Sequence, residues 1–152
     1  MKKIRQILIS VNVITVFLII NQAYAIKPIY SGGSDRAAIR GYDTVAYFTE
    51  NKAVPGNKEI SFEHLGTTWF FSTEANRAEF EQAPEKYMPQ YGGYCAYAVA
   101  RGSSASSKPE YFTLHEGKLY LNFSKSVYNK WLKDKEDYIE DADDKWPSVL
   151  SK

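Results

Sequence analysis

The sequence contains few residues that could bind a metal ion or act as a nucleophile. Its 152 residues include one cysteine, Cys95, and two histidines, His64 and His115. A single cysteine excludes an internal disulfide. Structural zinc sites typically use four Cys or His ligands at short spacings, a pattern that these three residues do not form. Stability must therefore come from packing, for which 12 Tyr, 8 Phe and 3 Trp are ample.

Apolar runs long enough to cross a membrane are also absent. The apolar stretch 7–20 is shorter than the ~20 residues that a spanning helix needs. It follows Lys2, Lys3 and Arg5 and precedes Ala23-Tyr24-Ala25, an arrangement typical of a cleaved signal peptide. We therefore expect residues 1–25 to be a signal peptide and the protein to be exported, to the periplasm or beyond; a retained N-terminal anchor is the alternative.

Charge of one sign does not accumulate in the remaining chain. Without residues 1–25 the sequence has 16 basic and 18 acidic residues, a formal charge of −2. A nucleic-acid-binding protein would need a strong basic excess, so no nucleic-acid partner is expected, and no membrane contact after cleavage. No internal repeat is evident. The length suits one domain at 40–150, after a flexible mature N-terminus at 26–39.

The patterning of the chain predicts a small α+β domain of two β-hairpins packed with several short helices. The hairpins are expected at 59–71 and 111–123, with turns at Gly66 and Gly117. Thr73 and Ser124 are suited to cap the helices that follow. A short strand is expected at 45–48, and a charged final helix at 137–145.

Cys95 is the first candidate for a functional site. It follows Gly92-Gly93 and begins a small, helix-compatible stretch, which predicts a thiol in the first turn of a helix, where a thiolate is favoured. Tyr91, Tyr94 and Tyr97 recur every three residues and, if partly exposed, are expected to form a ligand pocket around it; the alternative is that they are core residues. The alternative is that Cys95 is a small buried residue without a chemical role.

Two further roles for Cys95 depend on partners elsewhere. A metal site would combine its thiolate with His64, a ligand set that suits copper or zinc. A redox or nucleophilic thiol would need a base, for which His64 and His115 are the available imidazoles. Asp43 is a candidate ligand-binding carboxylate, and its alternative role is that of a turn residue that accepts hydrogen bonds from nearby amides. The acidic run 140–144 is expected to be a solvated helix face.

Several ordered motifs resemble those of the YHS domain family. They are 41–48 (GYDTVAYF), 69–77 (WFFSTEANR), 84–87 (PEKY), 91–95 (YGGYC) and 117–123 (GKLYLNF). The resemblance is to the exported, single-domain bacterial branch of the family, and it extends from about residue 40 to Trp146-Pro147.

YHS domains resemble heavy-metal-binding modules, and the exported branch looks like a group without an assigned activity. In the metal-binding members, the cysteines of an Asp-Pro-Val-Cys-Gly-Met motif and of a Phe-Cys-Ser-x-x-Cys motif fall at the positions of Ala46, Ser72 and Asn76. We therefore expect a binding module for a small ligand or a metal ion, centred on Cys95. A structural or partner-binding domain with an inert Cys95 and a thiol-dependent redox enzyme are the alternatives.

Overall fold

The structure, a computed structural model, describes residues 26–152, so the predicted signal peptide lies outside the described residues. The described part contains three two-stranded antiparallel sheets and six α-helices. This confirms the predicted α+β class.

The strands pair with their neighbours in sequence. The first sheet is short, and the other two are the predicted hairpins. The strands are β1 Ser31–Gly32, β2 Ala37–Ala38, β3 Asn57–His64, β4 Thr67–Phe71, β5 Lys108–His115 and β6 Lys118–Asn122. The helices are α1 Thr44–Glu50, α2 Glu74–Gln82, α3 Pro84–Tyr87, α4 Ala96–Ala100, α5 Lys125–Lys133 and α6 Lys135–Leu150, and 3₁₀ segments occupy Ile39–Gly41 and Gln90–Gly93.

Asp43 explains why residues 45–48 form a helix, which makes the prediction of a strand there wrong. Its carboxylate accepts hydrogen bonds from the backbone N–H groups of Val45 (2.9 Å) and Ala46 (3.3 Å). These contacts satisfy donors that have no partner within the first turn. The β-branched and aromatic residues of α1 are therefore held in helical conformation by an acceptor that lies outside the apolar run.

The structure contains an internal repeat that the sequence did not reveal. β5, β6 and α5 each begin 51 residues after β3, β4 and α2, and each has the same length as its counterpart. Both hairpins are interrupted at the same register position. The repeat conserves element lengths more than residue identities, which is why sequence comparison misses it.

Residues at equivalent positions of the two repeats have the same structural roles in turns and helix caps. The turns Leu65-Gly66 and Glu116-Gly117 both have positive φ at both residues, as two-residue hairpin turns require. Thr73 and Ser124 cap α2 and α5, accepting from Asn76 N–H and Val127 N–H. The helices α1 and α4 complete the repeat, and the residues that precede them are Asp43 and Cys95.

Each repeat is organised around a buried aromatic side chain of its second helix. Phe80 lies in a first cluster with Trp69 and Phe71, and Trp131 lies in a second cluster with Tyr120. Alternation along β6 joins the two clusters, because Leu119 and Leu121 pack in the first and Tyr120 packs in the second.

Residues 26–39, for which the sequence predicts a flexible N-terminus, contact the domain in the structure. Ile29 and Ile39 are buried in the first cluster, and β1 and β2 pair with each other. The backbone N–H of Tyr30 donates to Gly92 O at 2.8 Å. Apolar anchors and these backbone hydrogen bonds hold the segment against the domain.

The helices of residues 26–152 are each too short or too polar to cross a membrane.

Candidate functional site

Cys95 is a buried residue at the start of α4. Its side chain is 1% exposed, and its backbone N–H donates to Ala105 O at 3.0 Å. The thiol faces the amide of Asn122, with Sγ 3.6 Å from Oδ1. The same oxygen accepts from the backbone N–H of Tyr97 at 3.3 Å. Cys95 therefore lies at the start of a helix, as the sequence predicts. Its thiol, however, is buried in the protein interior and not exposed to solvent.

Burial decides the protonation of this thiol. Loss of solvent raises the pKa of Cys95, and backbone N–H groups of Ala98, Phe123 and Tyr97 lower it by a smaller amount. The result is a pKa above the ordinary value, opposite to the activation expected from a helix N-terminus. The surroundings favour the neutral thiol.

The three tyrosines of this segment point to different parts of the molecule. Tyr91 is buried, and its hydroxyl donates to Asp143 Oδ1 at 2.8 Å. The Tyr94 hydroxyl donates to Lys27 O at 3.0 Å. The Tyr97 ring packs against Tyr138, 5.2 Å between centroids. The spacing of three therefore places the three rings in different parts of the molecule. Cys95 does not line any of the four cavities found along α6, along α5 and beside Tyr30.

The two histidines have neighbours other than Cys95. The His64 ring packs edge-on to Phe80, 5.8 Å between centroids. His115 Nε2 lies 3.8 Å from Glu136 Oε1. Among the residues that the structure describes, no group of three or more His, Cys, Asp or Glu side chains is arranged to hold a metal ion. The Cys95–His64 metal site remains a prediction without a geometric counterpart here.

Asp43 is the centre of a buried hydrogen-bond network. Its side chain is fully buried. Besides the two amides of α1, it accepts through Oδ2 from Ser72 N–H (2.8 Å), Ser72 Oγ (2.6 Å) and Asn76 Nδ2 (2.7 Å). Five donors surround one carboxylate, so its negative charge is well compensated. The network ties α1 to the end of β4 and the start of α2.

Two cavities that share Asp143 lie along α6. One cavity of about 390 Å³ is lined by Tyr91, Trp146 and the apolar residues Met88, Pro89 and Pro147. A second cavity, of about 460 Å³, is lined by Tyr120 and by acidic residues of α6. Both are also lined by Asp143, the acceptor of the Tyr91 hydroxyl. We call the two together the α6 cleft, with an aromatic arm at Trp146 and an acidic arm at Tyr120.

Comparison with known proteins finds one family match. The model of the YHS domain matches residues 45–91, less than half of the chain. These residues form a YHS domain. Neither a curated protein nor a solved structure matches the chain. The match covers α1 to the second 3₁₀ segment, which is the first repeat; the second repeat lies beyond it.

The YHS positions that carry metal-ligand cysteines in other members come together in this structure. Ala46, Ser72 and Asn76 all hydrogen-bond to the carboxylate of Asp43. The donors around that carboxylate are N–H and O–H groups, and Ala46 offers only a methyl side chain, so no soft ligand for a heavy metal is present. These residues do not fit the metal of the YHS family. A hydrogen-bond network occupies the place of that site.

Sequence reasoning missed the residues of the YHS protein that form the α6 cleft. Asp143 belongs to the acidic run 140–144, whose acidic residues are exposed as the sequence predicts, and in addition it accepts a hydrogen bond from the buried Tyr91. Trp146 was treated as the end of the helix, whereas α6 continues to Leu150. Nothing in the local pattern distinguishes these residues from ordinary surface positions. They are distinguished only by their position next to Tyr91 in the folded chain.

Proposed function

We propose that this protein is an exported, YHS-containing binding module that takes up a small organic ligand in the α6 cleft. Cys95 serves in this proposal as a structural thiol. The observation that carries the proposal is the shared Asp143, which joins two cavities and holds the buried Tyr91 hydroxyl between them.

The size and chemistry of the cleft support this function. Small-molecule sites are concave, several hundred Å³ in volume, and combine apolar walls with a few polar groups. The aromatic arm has this composition, with the Tyr91 and Trp146 rings 6.0 Å apart and the Asp143 carboxylate beside them. Burial, followed by the hydrogen bond to Asp143, raises the pKa of Tyr91. Its hydroxyl thus stays protonated and fixes the carboxylate in place.

The surroundings of Cys95 support the structural role. A thiolate is the form that binds metals and attacks disulfides or carbonyls, and burial opposes its formation at Cys95. The hydrogen bond to Asn122 gives the thiol a packing role between α4 and β6. This observation favours the inert-cysteine alternative over a redox enzyme and over a Cys95-centred metal site.

Export rests on the sequence alone. The basic start, the apolar stretch 7–20 and the Ala-Tyr-Ala pattern support cleavage after residue 25 and a periplasmic location. A ligand reaching this module would then come from the cell envelope or the surroundings.

Ligand binding can be tested by NMR with three probes of one shape. Isotope-labelled mature protein, residues 26–152, is titrated with 2-phenylethylamine, 2-phenylethanol and phenylacetate. We expect at least one probe to shift the amide signals of Tyr91, Asp143 and Trp146. Shifts confined to the surroundings of Cys95, or no cleft shifts with any probe, would overturn the proposal.

A matched pair of variants links binding to the cleft. Tyr91→Phe removes the hydroxyl that orients Asp143, so binding of the active probe should weaken by several-fold. Tyr97→Phe is the control. Tyr97 belongs to the same tyrosine series but lines neither arm of the cleft, so loss of its hydroxyl should leave binding unchanged. Equal effects of the two variants would contradict the assignment of the site.

A further inference from the structure

Three polar side chains of the second repeat occupy the positions of a phenylalanine cluster in the first repeat. The phenylalanine rings pack together, with two ring centroids 6.2 Å and 5.3 Å from the centroid of Phe80. The residues 51 positions later, which we call the polar triad, are Thr113, Asn122 and Trp131, in place of Phe62, Phe71 and Phe80. A set of hydrogen-bonding side chains therefore replaces a purely apolar set.

The register of the second hairpin places the polar triad on one face. Thr113 lies directly opposite Tyr120 across the β5–β6 pair. Asn122 lies two residues after Tyr120 on β6, and residues two apart in a strand share a face. The Trp131 ring packs on this face, with its centroid 5.5 Å from that of Tyr120. All three side chains therefore lie around Tyr120, in the core of the second repeat.

Each member of the polar triad has a buried polar atom without a hydrogen-bond partner among residues 26–152. The atoms are Thr113 Oγ1, Asn122 Nδ2 and Trp131 Nε1, and the Asn122 and Trp131 side chains are fully buried. One other buried side-chain atom in this part of the chain makes no hydrogen bond, Arg77 Nε, but it lies 2.9 Å from Glu74 Oε2 in an ion pair. Unpartnered buried side-chain donors are thus concentrated at one place in the described chain.

The contacts of Asn122 fix the orientation of its amide. Oδ1 accepts from the backbone N–H of Tyr97 at 3.3 Å and lies 3.6 Å from Cys95 Sγ. Rotation of the amide by half a turn would place its NH₂ group against the Tyr97 N–H, donor against donor. The NH₂ group must therefore find its acceptor on the other side, away from Tyr97.

We propose that the polar triad is an internal binding site for ordered water in the second repeat. Internal water typically makes about three hydrogen bonds to buried polar groups that have no protein partner. The N–H groups of Trp131 and Asn122 donate to the water oxygen, and the Thr113 hydroxyl can accept from the water or donate to it. Asn122 then bonds to the water on one side and to the Cys95 thiol on the other.

The chemistry of the site favours a small neutral ligand. An anion could accept from the same N–H groups, but no Lys or Arg side chain of residues 26–152 is buried to compensate its charge, and an unpaired charge in a protein core is costly. An apolar ligand would leave the donors unpaired. The cavities along α6, along α5 and beside Tyr30 are not lined by the polar triad, so the ligand must be small. Water meets all three conditions.

NMR of the wild-type protein, isotope-labelled residues 26–152, tests for this water directly. Rotating-frame spectra distinguish a proton beside a long-lived water from a proton that exchanges with solvent, because the two cross-peaks have opposite signs. We expect cross-peaks of the dipolar sign between water and both the Trp131 indole N–H and the Asn122 NH₂ group. Trp69 is the control, since it is 1% exposed and its indole N–H donates to His64 O at 3.2 Å; it should show no water cross-peak.

Two variants assign the signals and exclude a relayed effect. Trp131→Phe introduces the side chain of the equivalent position in the first repeat and should remove one indole signal, which assigns it. Thr113→Val replaces the hydroxyl by a methyl group of similar size. Because a hydroxyl proton that exchanges with solvent can imitate a bound water, the cross-peak at Trp131 should persist in Thr113→Val.

Four results would overturn the inference. The first is the absence of dipolar cross-peaks at both Trp131 and Asn122 in the wild type. The second is cross-peaks of the exchange sign alone, which would show that solvent reaches these groups only when the core opens. The third is loss of the Trp131 cross-peak in Thr113→Val. The fourth is a shift of the Trp131 indole signal on addition of sodium chloride or sodium formate, which would replace the water by an anion.

Discussion

Asp43 and Cys95 each immediately precede a helix, at equivalent places in the two repeats. Asp43 receives the amides of Val45, Ala46 and Ser72. The backbone N–H groups that act to lower the pKa of Cys95 are those of Tyr97, Ala98 and Phe123, which follow the first set by 51 or 52 residues. Burial outweighs them and favours the neutral thiol, so one structural position holds a carboxylate that accepts five hydrogen bonds in the first repeat and a thiol in the second.

Removal of the Asp43 carboxylate should destabilise the fold far more than removal of an ordinary helix cap. Asp43→Ala leaves five donors without an acceptor, several of them buried, and we expect a loss of at least about 3 kcal/mol in the free energy of unfolding. Thr73→Ala is the control, since Thr73 accepts from one exposed amide, and it should cost about 1 kcal/mol. Urea denaturation measures both, and equal losses would contradict the role of Asp43 as a buried centre.

Cys95 should react slowly with alkylating reagents in the native protein. Its burial blocks access, and its raised pKa reduces the thiolate fraction. We expect the pH at half-maximal rate to lie above the ~8.5 of a free cysteine, and the rate to rise sharply in denaturant. A fast native reaction with a half-point below that reference would restore Cys95 as an activated thiol.

The same shift makes stability depend on pH in a defined direction. Because the folded-state pKa of Cys95 is raised, the stability from its protonated form is complete below the unfolded value of ~8.5 and is lost as pH rises through the folded value. The free energy of unfolding of the wild type should therefore fall relative to that of Cys95→Ala between pH 8 and 10. Tyrosines titrate in both proteins and cancel in the comparison; a constant difference would contradict the shift.

At the scale of elements, the Gly92-Gly93 segment attaches the N-terminal strands to the domain. Gly92 has φ +59, and a Cβ there would lie 1.8 Å from Pro28 O. Because Gly92 has no Cβ, the backbone of residues 28–30 can approach it closely, and the backbone N–H of Tyr30 donates to Gly92 O. The glycine pair, which first suggested a site at Cys95, thus serves the packing of residues 28–30.

Two glycine substitutions distinguish the steric effect of an added Cβ at a close backbone contact from the effect of a positive φ alone. Gly92→Ala should release residues 28–30 and cost more than the ~1–2 kcal/mol of a left-handed alanine. Gly66→Ala, at φ +67 with nothing within 4 Å of the added carbon, should cost only that strain. Hydrogen exchange at Tyr30 should quicken in Gly92→Ala alone. Unchanged exchange there would show that the N-terminal segment is not held by this contact.

At the scale of the whole molecule, the two repeats form one cooperative unit through β6. Its alternating side chains enter both aromatic clusters, so neither cluster is complete without that strand. A repeat that shares its core in this way should not unfold separately.

Substitutions in either cluster should therefore lower the free energy of unfolding of both repeats together. Phe80→Ala and Trp131→Ala each remove a fully buried aromatic ring and should each cost about 3–5 kcal/mol. Circular dichroism and fluorescence should give one coincident transition in the wild type and in both variants. Two separate transitions in Trp131→Ala would show that the first repeat folds alone.

The hairpins and the helices that follow them could be predicted from the sequence, because turn glycines and capping residues determine where they begin and end. Gly66 and Gly117 mark the two hairpin turns, and Thr73 and Ser124 mark the starts of α2 and α5. The α1 segment was mistaken for a strand because the contact that makes it helical comes from Asp43, a residue outside the apolar run. The candidate site was predicted less well, since Tyr91 was identified but its partner Asp143 lies 52 residues away.

The α+β class, the match to the YHS domain and the position of Cys95 before a short helix follow from local residue patterns, because turn glycines, capping residues and ordered motifs act over a few residues. The other properties arise only in the folded chain. Burial made the thiol neutral, a shared strand joined two repeats, and the packing of α6 against Tyr91 created the cleft. These properties depend on contacts between distant residues and on lost solvent, which no local pattern records.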